Sequence, residues 1–246
     1  MRFDVMTLFP GMITSVTGES ILGKAQKSGL IEVYAHNIRD YTKDKHRKVD
    51  DTPYGGGMGM LMSVQPIIDC YKSFSDSLPK NSKVIYLSPK GSVFNHEKAV
   101  ELSKLENIVF LCGHYEGVDE RALQMIVDEQ ISVGDFVLTG GELPALTIID
   151  SVSRLIPGVL PDTVCYEDES IASGLLEYPQ YTKPYDYCGL KVPEVLMGGN
   201  HEDIRKWRRF EALKETFIYR PDLLDKAKLN KEDILFLETM KKHCCG

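Results

Sequence analysis

Three short, mostly apolar runs dominate what this chain can fold into: Lys83-Val-Ile-Tyr-Leu-Ser88, Asn107-Ile-Val-Phe-Leu-Cys112 and Gln130-Ile-Ser-Val133. A strand with one wet face alternates apolar and polar residues, whereas a continuous apolar run is buried on both faces. Between the runs lie helical patterns, Asn95 to Leu105 with Asn95 as the cap, and Asp119 to Val127. Buried strands alternating with helices predict an α/β fold, a mostly parallel sheet with helices on both faces.

Each run is followed by a glycine-bearing turn: Pro89-Lys-Gly91, then Gly113-His-Tyr-Glu-Gly117, then Gly134. The third continues through Gly140 and Gly141 into the spacing Leu143, Leu146, Ile149, Val152, which is helical. A single such turn is as readily structural as functional. Three at the carboxyl ends of parallel strands, where ligands of such sheets bind, predict one shared pocket. Glycines there let backbone close around the ligand. No GxGxxG opens a helix after the first strand, which argues against a dinucleotide fold.

Phe3 to Leu8 reads as a first strand ended by Pro10-Gly11, followed by a helix from Ile21 to Ser28 and a half-buried strand from Ile31 to His36. A polar loop, Arg39 to Pro53, leads to Tyr54-Gly-Gly-Gly-Met-Gly-Met60. Four glycines in five residues make a loop or a backbone cradle, and the missing lysine-serine ending separates it from a phosphate-binding loop. Ser63 is the expected cap of the next helix, with Pro66 in its first turn. After Arg154 the periodicity fails through Pro157, Gly158, Pro161 and Glu167-Asp-Glu169. The expected organisation is an α/β domain over residues 1–160, a linker over 161–173, and a small helical domain over 174–246 that opens on the aromatic, proline-rich Gly174 to Pro184.

No run reaches the roughly 18–20 apolar residues of a membrane helix, and the N-terminus opens on a strand pattern, so a cytoplasmic protein with no membrane association is expected. Six scattered cysteines, without a CxxC pair, predict neither a zinc site nor a disulfide framework. The net charge of −7 excludes a protein that coats nucleic acid by bulk charge. Two local clusters stand against it: Arg39, Lys43, Lys45, His46, Arg47 and Lys48, and Arg205-Lys-Trp-Arg-Arg209 around the single tryptophan. Each suits a phosphate-contacting patch or a solvated face.

The motifs Phe3-Asp-Val-Met-Thr-Leu-Phe-Pro10, Tyr54 to Met60, Leu87-Ser-Pro-Lys-Gly91, Cys112 to Arg121, Ser132 to Pro144 and Ser170 to Pro184, in this order, resemble the bacterial tRNA (guanine-37 N1)-methyltransferases. These belong to the SPOUT superfamily of trefoil-knotted, S-adenosylmethionine-dependent enzymes. The resemblance implies a deep knot and a cofactor pocket of three loops: Tyr86, Leu87, Ser88, Pro89 and Gly91; Gly113, Tyr115 and Glu116; Ser132, Val133, Gly134, Leu138, Gly140, Gly141 and Pro144. It implies tRNA contacts at His46, Asp50, Gly55, Gly56, Gly59, Ser170, Arg205, Arg208 and Arg209, a homodimer sharing its active sites, and Mg²⁺ with Glu116 nearby.

Guanine N1 carries a proton, so methylating it asks for a base and for a cation or donor to hold charge on O6. The family places an aspartate before the linker serine and an arginine near the end of the preceding helix. Arg154 matches the arginine, but the acid before Ser170 is Glu169, with Asp168 beside it. Glu169 is the expected base and Asp168 its substitute. From the residues alone both acids read as solvated linker charges. The competing readings are a methyltransferase of the same superfamily acting on another RNA, and a non-catalytic RNA-binding module on the same fold.

Overall fold

The computed structural model describes residues 1–161, 174–225 and 227–244. The chain divides into two compact units, Met1–Asp162 and Thr163–Gly246. In the first, strand β1 (Arg2–Thr7) leads into helices α1 (Pro10–Thr17) and α2 (Ser20–Lys27), then β2 (Glu32–Asn37) and a 3-10 turn at Ile38–Tyr41. A small antiparallel pair, β3 (Asp50–Asp51) and β4 (Leu61–Met62), precedes α3 (Val64–Ser75). There follow β5 (Ser82–Val93), α4 (His96–Leu102), β6 (Asn107–Leu111), α5 (Glu120–Ile126), β7 (Glu129–Ser132) and α6 (Glu142–Ser153).

The five long strands form one sheet in the order β2-β1-β6-β5-β7, and every pairing in it is parallel. Alternation along β1 explains the layers: Phe3 and Val5 enter one core, with Ile13, Leu22, Leu102 and Ile149 from the helices on that face. Met6 enters the other, with Ile67 and Phe74 of α3 and Leu123 of α5. β6 is buried at every position from Asn107 to Leu111, as its unbroken apolar run requires.

Three local expectations change. Pro10-Gly11, read as a strand terminator, opens α1, with the proline in its first turn where no N–H is needed. Ser63 holds the cap position of α3 but makes no side-chain cap bond. Pro89-Lys-Gly91 does not end β5: Leu87 and Ser92 both pair with Ile131 of β7, and the residues between are looped out as a bulge. Asn95 and Asp119 do cap α4 and α5, accepting from the Lys98 and Arg121 backbone N–H groups at 2.9 Å each.

The second unit contains the pair β8 (Asp186–Tyr187) and β9 (Leu190–Lys191), then helices α7 (His201–Tyr219), α8 (Pro221–Leu224) and α9 (Lys231–Cys244). Its small core joins Leu175, Ala212, Leu213 and Leu237. Among the described residues no helix is long and apolar enough to cross a membrane.

A buried ion cluster fastens the start of the sheet. Asp4, fully buried, accepts from Arg2 Nε at 2.7 Å, Arg2 Nη2 at 2.8 Å and Asn107 Nδ2 at 2.6 Å, with His36 Nε2 at 2.7 Å. Burial opposes ionisation of Asp4, but the His36, Arg2 and Asn107 hydrogen bonds outweigh it and hold the carboxyl below its ordinary value. A depressed folded pKa stabilises the fold above the unfolded value, near pH 4, and that contribution disappears as pH falls through the folded value. Asp4→Asn should cost about 2–3 kcal/mol at neutral pH. The gap from the unaltered protein should narrow below about pH 4, as measured by urea unfolding across that range.

Candidate functional site

The carboxyl ends of β5, β6 and β7 open on a cavity of about 280 Å³. Tyr86, Leu87, Ser88 and Pro89 line it from β5, and Gly113, Tyr115 and Glu116 from the loop after β6. Ser132, Val133, Gly134, Leu138, Gly140, Gly141 and Pro144 line it from the segment between β7 and α6. The structure therefore gathers fourteen of the fifteen residues expected on the cofactor into one wall system. Gly91 stands apart: a Cβ there would come within 2.3 Å of the Ile131 backbone nitrogen, so it serves the close packing of the β5 bulge on β7.

His114, Gly117, Ile131, Phe136, Val137 and Thr139 also line the cavity and were not anticipated. His114 belongs to a buried relay at the cavity base. Thr7 Oγ1 accepts from the Phe9 N–H at 2.8 Å, so its own hydrogen goes to Glu142 Oε1 at 2.6 Å. Glu142 Oε2 lies 2.7 Å from His114 Nε2, and Glu142 is 1% exposed. The carboxylate is the first residue of α6, where the helix N-terminus favours negative charge. It also bears on Cys112, whose thiol is pushed well above its ordinary pKa by burial first and by Glu142 second. A buried thiol in that state is no nucleophile. Tyr86 is raised likewise, by burial and then Glu120, and keeps its proton.

Gly140 and Gly141 serve proximity more than dihedral freedom. Gly141 has φ −83°, open to any residue, yet a Cβ on it would sit 2.7 Å from Cys112 Cα, where its N–H donates to the Gly113 carbonyl at 3.0 Å. A Cβ on Gly140 would instead strike the His114 ring at 2.3 Å. Tyr115, by contrast, holds φ +59° without being glycine, a strained conformation at the cavity wall.

The glycine-rich stretch caps the β3–β4 pair and abuts the same loop. Gly55, Gly56 and Gly59 all have positive φ, a conformation that favours glycine. A Cβ on Gly59 would meet Glu116 Cγ at 2.4 Å. Glu116 N–H donates to Met60 O at 3.0 Å, and Met62 N–H to Gly117 O at 2.9 Å. Asp50 lies in β3, and His46 is exposed in the basic loop before it, donating its N–H to Asp44 Oδ1 at 2.7 Å. The Lys48 and then the His46 backbone donors hold the Asp44 carboxyl below its usual range.

Arg154 is the C-cap of α6 and half-buried. Asp168, Glu169 and Ser170 lie outside the described residues. In the second unit Arg205 and Arg208 are exposed, whereas Arg209 is committed to the fold: its Nη2 donates to Asp233 Oδ2 at 2.8 Å and to Lys228 O at 3.0 Å. Asp233 is 1% exposed; burial opposes its charge, but Arg209 and the Asn230 N–H hold its pKa down. Among the described residues no group of three His, Cys, Asp or Glu converges as a metal site.

Gly141→Ala should lower stability by about 1–3 kcal/mol, because backbone must move to admit the methyl. Gly140→Ala meets side chains rather than backbone, the His114 ring at 2.3 Å and Glu142 Oε2 at 2.6 Å, and should disturb the cavity wall by pushing that pair apart. Thermal unfolding together with calorimetric titration of S-adenosylmethionine separates the two effects.

A family model described as tRNA (Guanine-1)-methyltransferase TrmD matches residues 1–226. The chain is similar to the tRNA (guanine-N(1)-)-methyltransferase of Ruminiclostridium cellulolyticum, 60% identical over 226 residues, which span 92% of this chain and 97% of that protein. The enzyme of the same name from Caldicellulosiruptor saccharolyticus is 55% identical over 237 residues, 96% of each chain, and that of Dictyoglomus turgidum 53% over 242 residues, 98% of this chain and 97% of its own. With its three loops meeting at one sheet edge and its matching motifs running almost end to end, the chain belongs to the tRNA (guanine-1)-methyltransferase TrmD family.

Proposed function

We propose that this chain methylates N1 of guanine 37 in tRNA, with S-adenosylmethionine held in the cavity at the carboxyl edge of the sheet. The observation that carries the reading is the convergence of the three motif loops on that one cavity in a member of this family. The walls fit the cofactor: Leu87, Ile131, Leu138 and Pro144 offer apolar surface to adenine, while Gly113, Gly140 and Gly141 leave backbone bare for close approach. When bound, the cofactor supplies an electrophilic sulfonium methyl. The trefoil threading implied for this family belongs to the proposal, supported by the His114–Gly140 bridge and the Gly141 to Gly113 bond that knit two of the loops.

The remaining chemistry falls to protein groups. Glu169, or Asp168 in its place, accepts the N1 proton, and Arg154 holds the charge that develops on O6. The carboxyl would take the N1 proton as the methyl supplied by the bound cofactor comes to N1, and would hold it until solvent removes it. Glu116 is the one carboxylate among the lining residues, which does not amount to a cation cage, so no step is assigned to Mg²⁺.

Helix α6 starts at the cavity and ends at Arg154, which at 1.5 Å per residue places the arginine roughly 18 Å further along the axis. That separation favours Arg154 acting at the pocket of a second subunit. Exposed apolar side chains support such a homodimer: Met12 and Val16 of α1, Leu143 of α6 and Val137 of the third loop are 41%, 50%, 52% and 85% exposed. On the RNA side we place His46, Asp50, the Gly55 to Gly59 tip, Ser170, Arg205 and Arg208; Arg209 contributes by holding α7 to α9. The enzyme acts in the cytoplasm, where its tRNA substrate resides.

Glu169→Gln should lower turnover by about 10²- to 10⁴-fold, and Asp168→Asn should leave it near that of the unaltered enzyme. Full activity in Glu169→Gln would transfer the role to Asp168. Replacing guanine 37 of a tRNA transcript should abolish methyl transfer; undiminished transfer would overturn the assignment of the target base.

A further inference from the structure

The second unit contains a cavity of its own, about 900 Å³, walled by residues 178–185 and by side chains from Val192 to Arg208. Three tyrosines line it. Tyr178 and Tyr181 each lie 6.4 Å from Trp207 between ring centroids, at 68° and 50°, so the single tryptophan backs both. Arg208 places its guanidinium carbon 5.0 Å over the Tyr178 ring.

Folding accounts for only part of this. Tyr178 packs against the core of the unit, but Tyr181 and Tyr185 are absent from that core and remain 49% and 39% exposed. Two large rings are thus held open at a cavity by a segment whose φ angles are restrained at Pro179 and Pro184. A preset wall of this kind loses little freedom when a ligand enters.

The ligand chemistry follows from the walls. Aromatic faces ask for a planar, apolar-faced group, and Arg208 with Lys183 asks for an anion attached to it. A nucleobase joined to its phosphate satisfies both. A paired base inside a duplex cannot enter a cavity, so the strand must be single. We infer that this cavity receives an unstacked base from a single-stranded stretch of the RNA substrate, stacked on Tyr181 beside Arg208. The inference rests on the RNA-methyltransferase reading and adds to it a second place where a base leaves its stack.

The test uses the full-length protein, the Tyr181→Ala, Tyr181→Phe and Arg208→Ala variants, a tRNA transcript, a labelled oligoadenylate and an RNA duplex of similar length. Tyr181→Ala should raise the tRNA KM about five- to 100-fold, with the loss carried by KM rather than kcat and S-adenosylmethionine affinity preserved. Tyr181→Phe should restore binding, since a phenyl face stacks as well. The unaltered protein should bind oligoadenylate in preference to duplex, and Arg208→Ala and Tyr181→Ala should both weaken that binding. A Tyr181→Ala enzyme with unaltered KM and oligoadenylate affinity would overturn the inference. So would Tyr181→Phe as impaired as Tyr181→Ala, or equal binding of duplex. If the unaltered protein methylates no tRNA yet binds oligoadenylate through Tyr181, the catalytic reading falls and the base site stands.

Discussion

A carboxylate sealed from water has to be partnered from within, and Glu142 finds its partners on two different segments, Thr7 at the end of β1 and His114 in the loop after β6. Because Glu142 itself opens α6, one side chain joins a central strand, the second cavity loop and the third. Glu142 is buried with both oxygens engaged, so loss of a partner would leave an unpaired charge, a far larger penalty than the pair's own net contribution. The glycines on either side share this logic. Gly140 leaves room for the His114 ring to reach Glu142, and Gly141 lets the backbone lie against Cys112 and Gly113. The cavity exists because these segments can approach so closely.

Charge is organised differently in the two units. In the first, the cations of residues 43–48 sit on an exposed loop whose turn is held by Asp44 and backbone donors, and Arg39 reaches the Tyr115 hydroxyl at 3.5 Å. In the second, two adjacent arginines part company: Arg209 turns inward to Asp233 as a bidentate partner, and Arg208 stays at the surface over a tyrosine ring. Arginine suits both tasks because its planar fork matches a carboxylate and its face matches an aromatic ring. A count of positive charges in Arg205-Lys-Trp-Arg-Arg209 therefore overstates what is offered to phosphate. Lys206 is engaged too, with Glu202 at 3.1 Å.

Periodicity made the parallel sheet readable, because β5, β6 and β7 have to be apolar on both faces, and the cavity could be placed at their carboxyl ends for the same reason. Chain order did not disclose the relay of Thr7, His114 and Glu142, whose members are more than a hundred residues apart at the extremes and are individually unremarkable residue types. The bulge in β5 escaped notice because Pro89 and Gly91 are the residues of a terminating turn, and only the return of Ser92 to Ile131 distinguishes the two. Pro10 misled in the opposite sense: the residue that stops a strand also starts a helix. That Arg209 is structural could not be inferred from its neighbours, since Asp233 lies a helix away. A knot of the kind the resemblance implies would be a property of how loops pass one another, to which local pattern is blind.

That bulge has a thermodynamic meaning for binding. Leu87 and Ser92 are both fastened to Ile131, so the segment carrying Ser88 and Pro89 leaves the sheet and returns to it at a single residue. A loop with both ends pinned to one point has already surrendered most of its conformational freedom when the sheet assembles. The entropy of ordering that wall is therefore charged to folding, and an incoming ligand meets a surface with little left to lose.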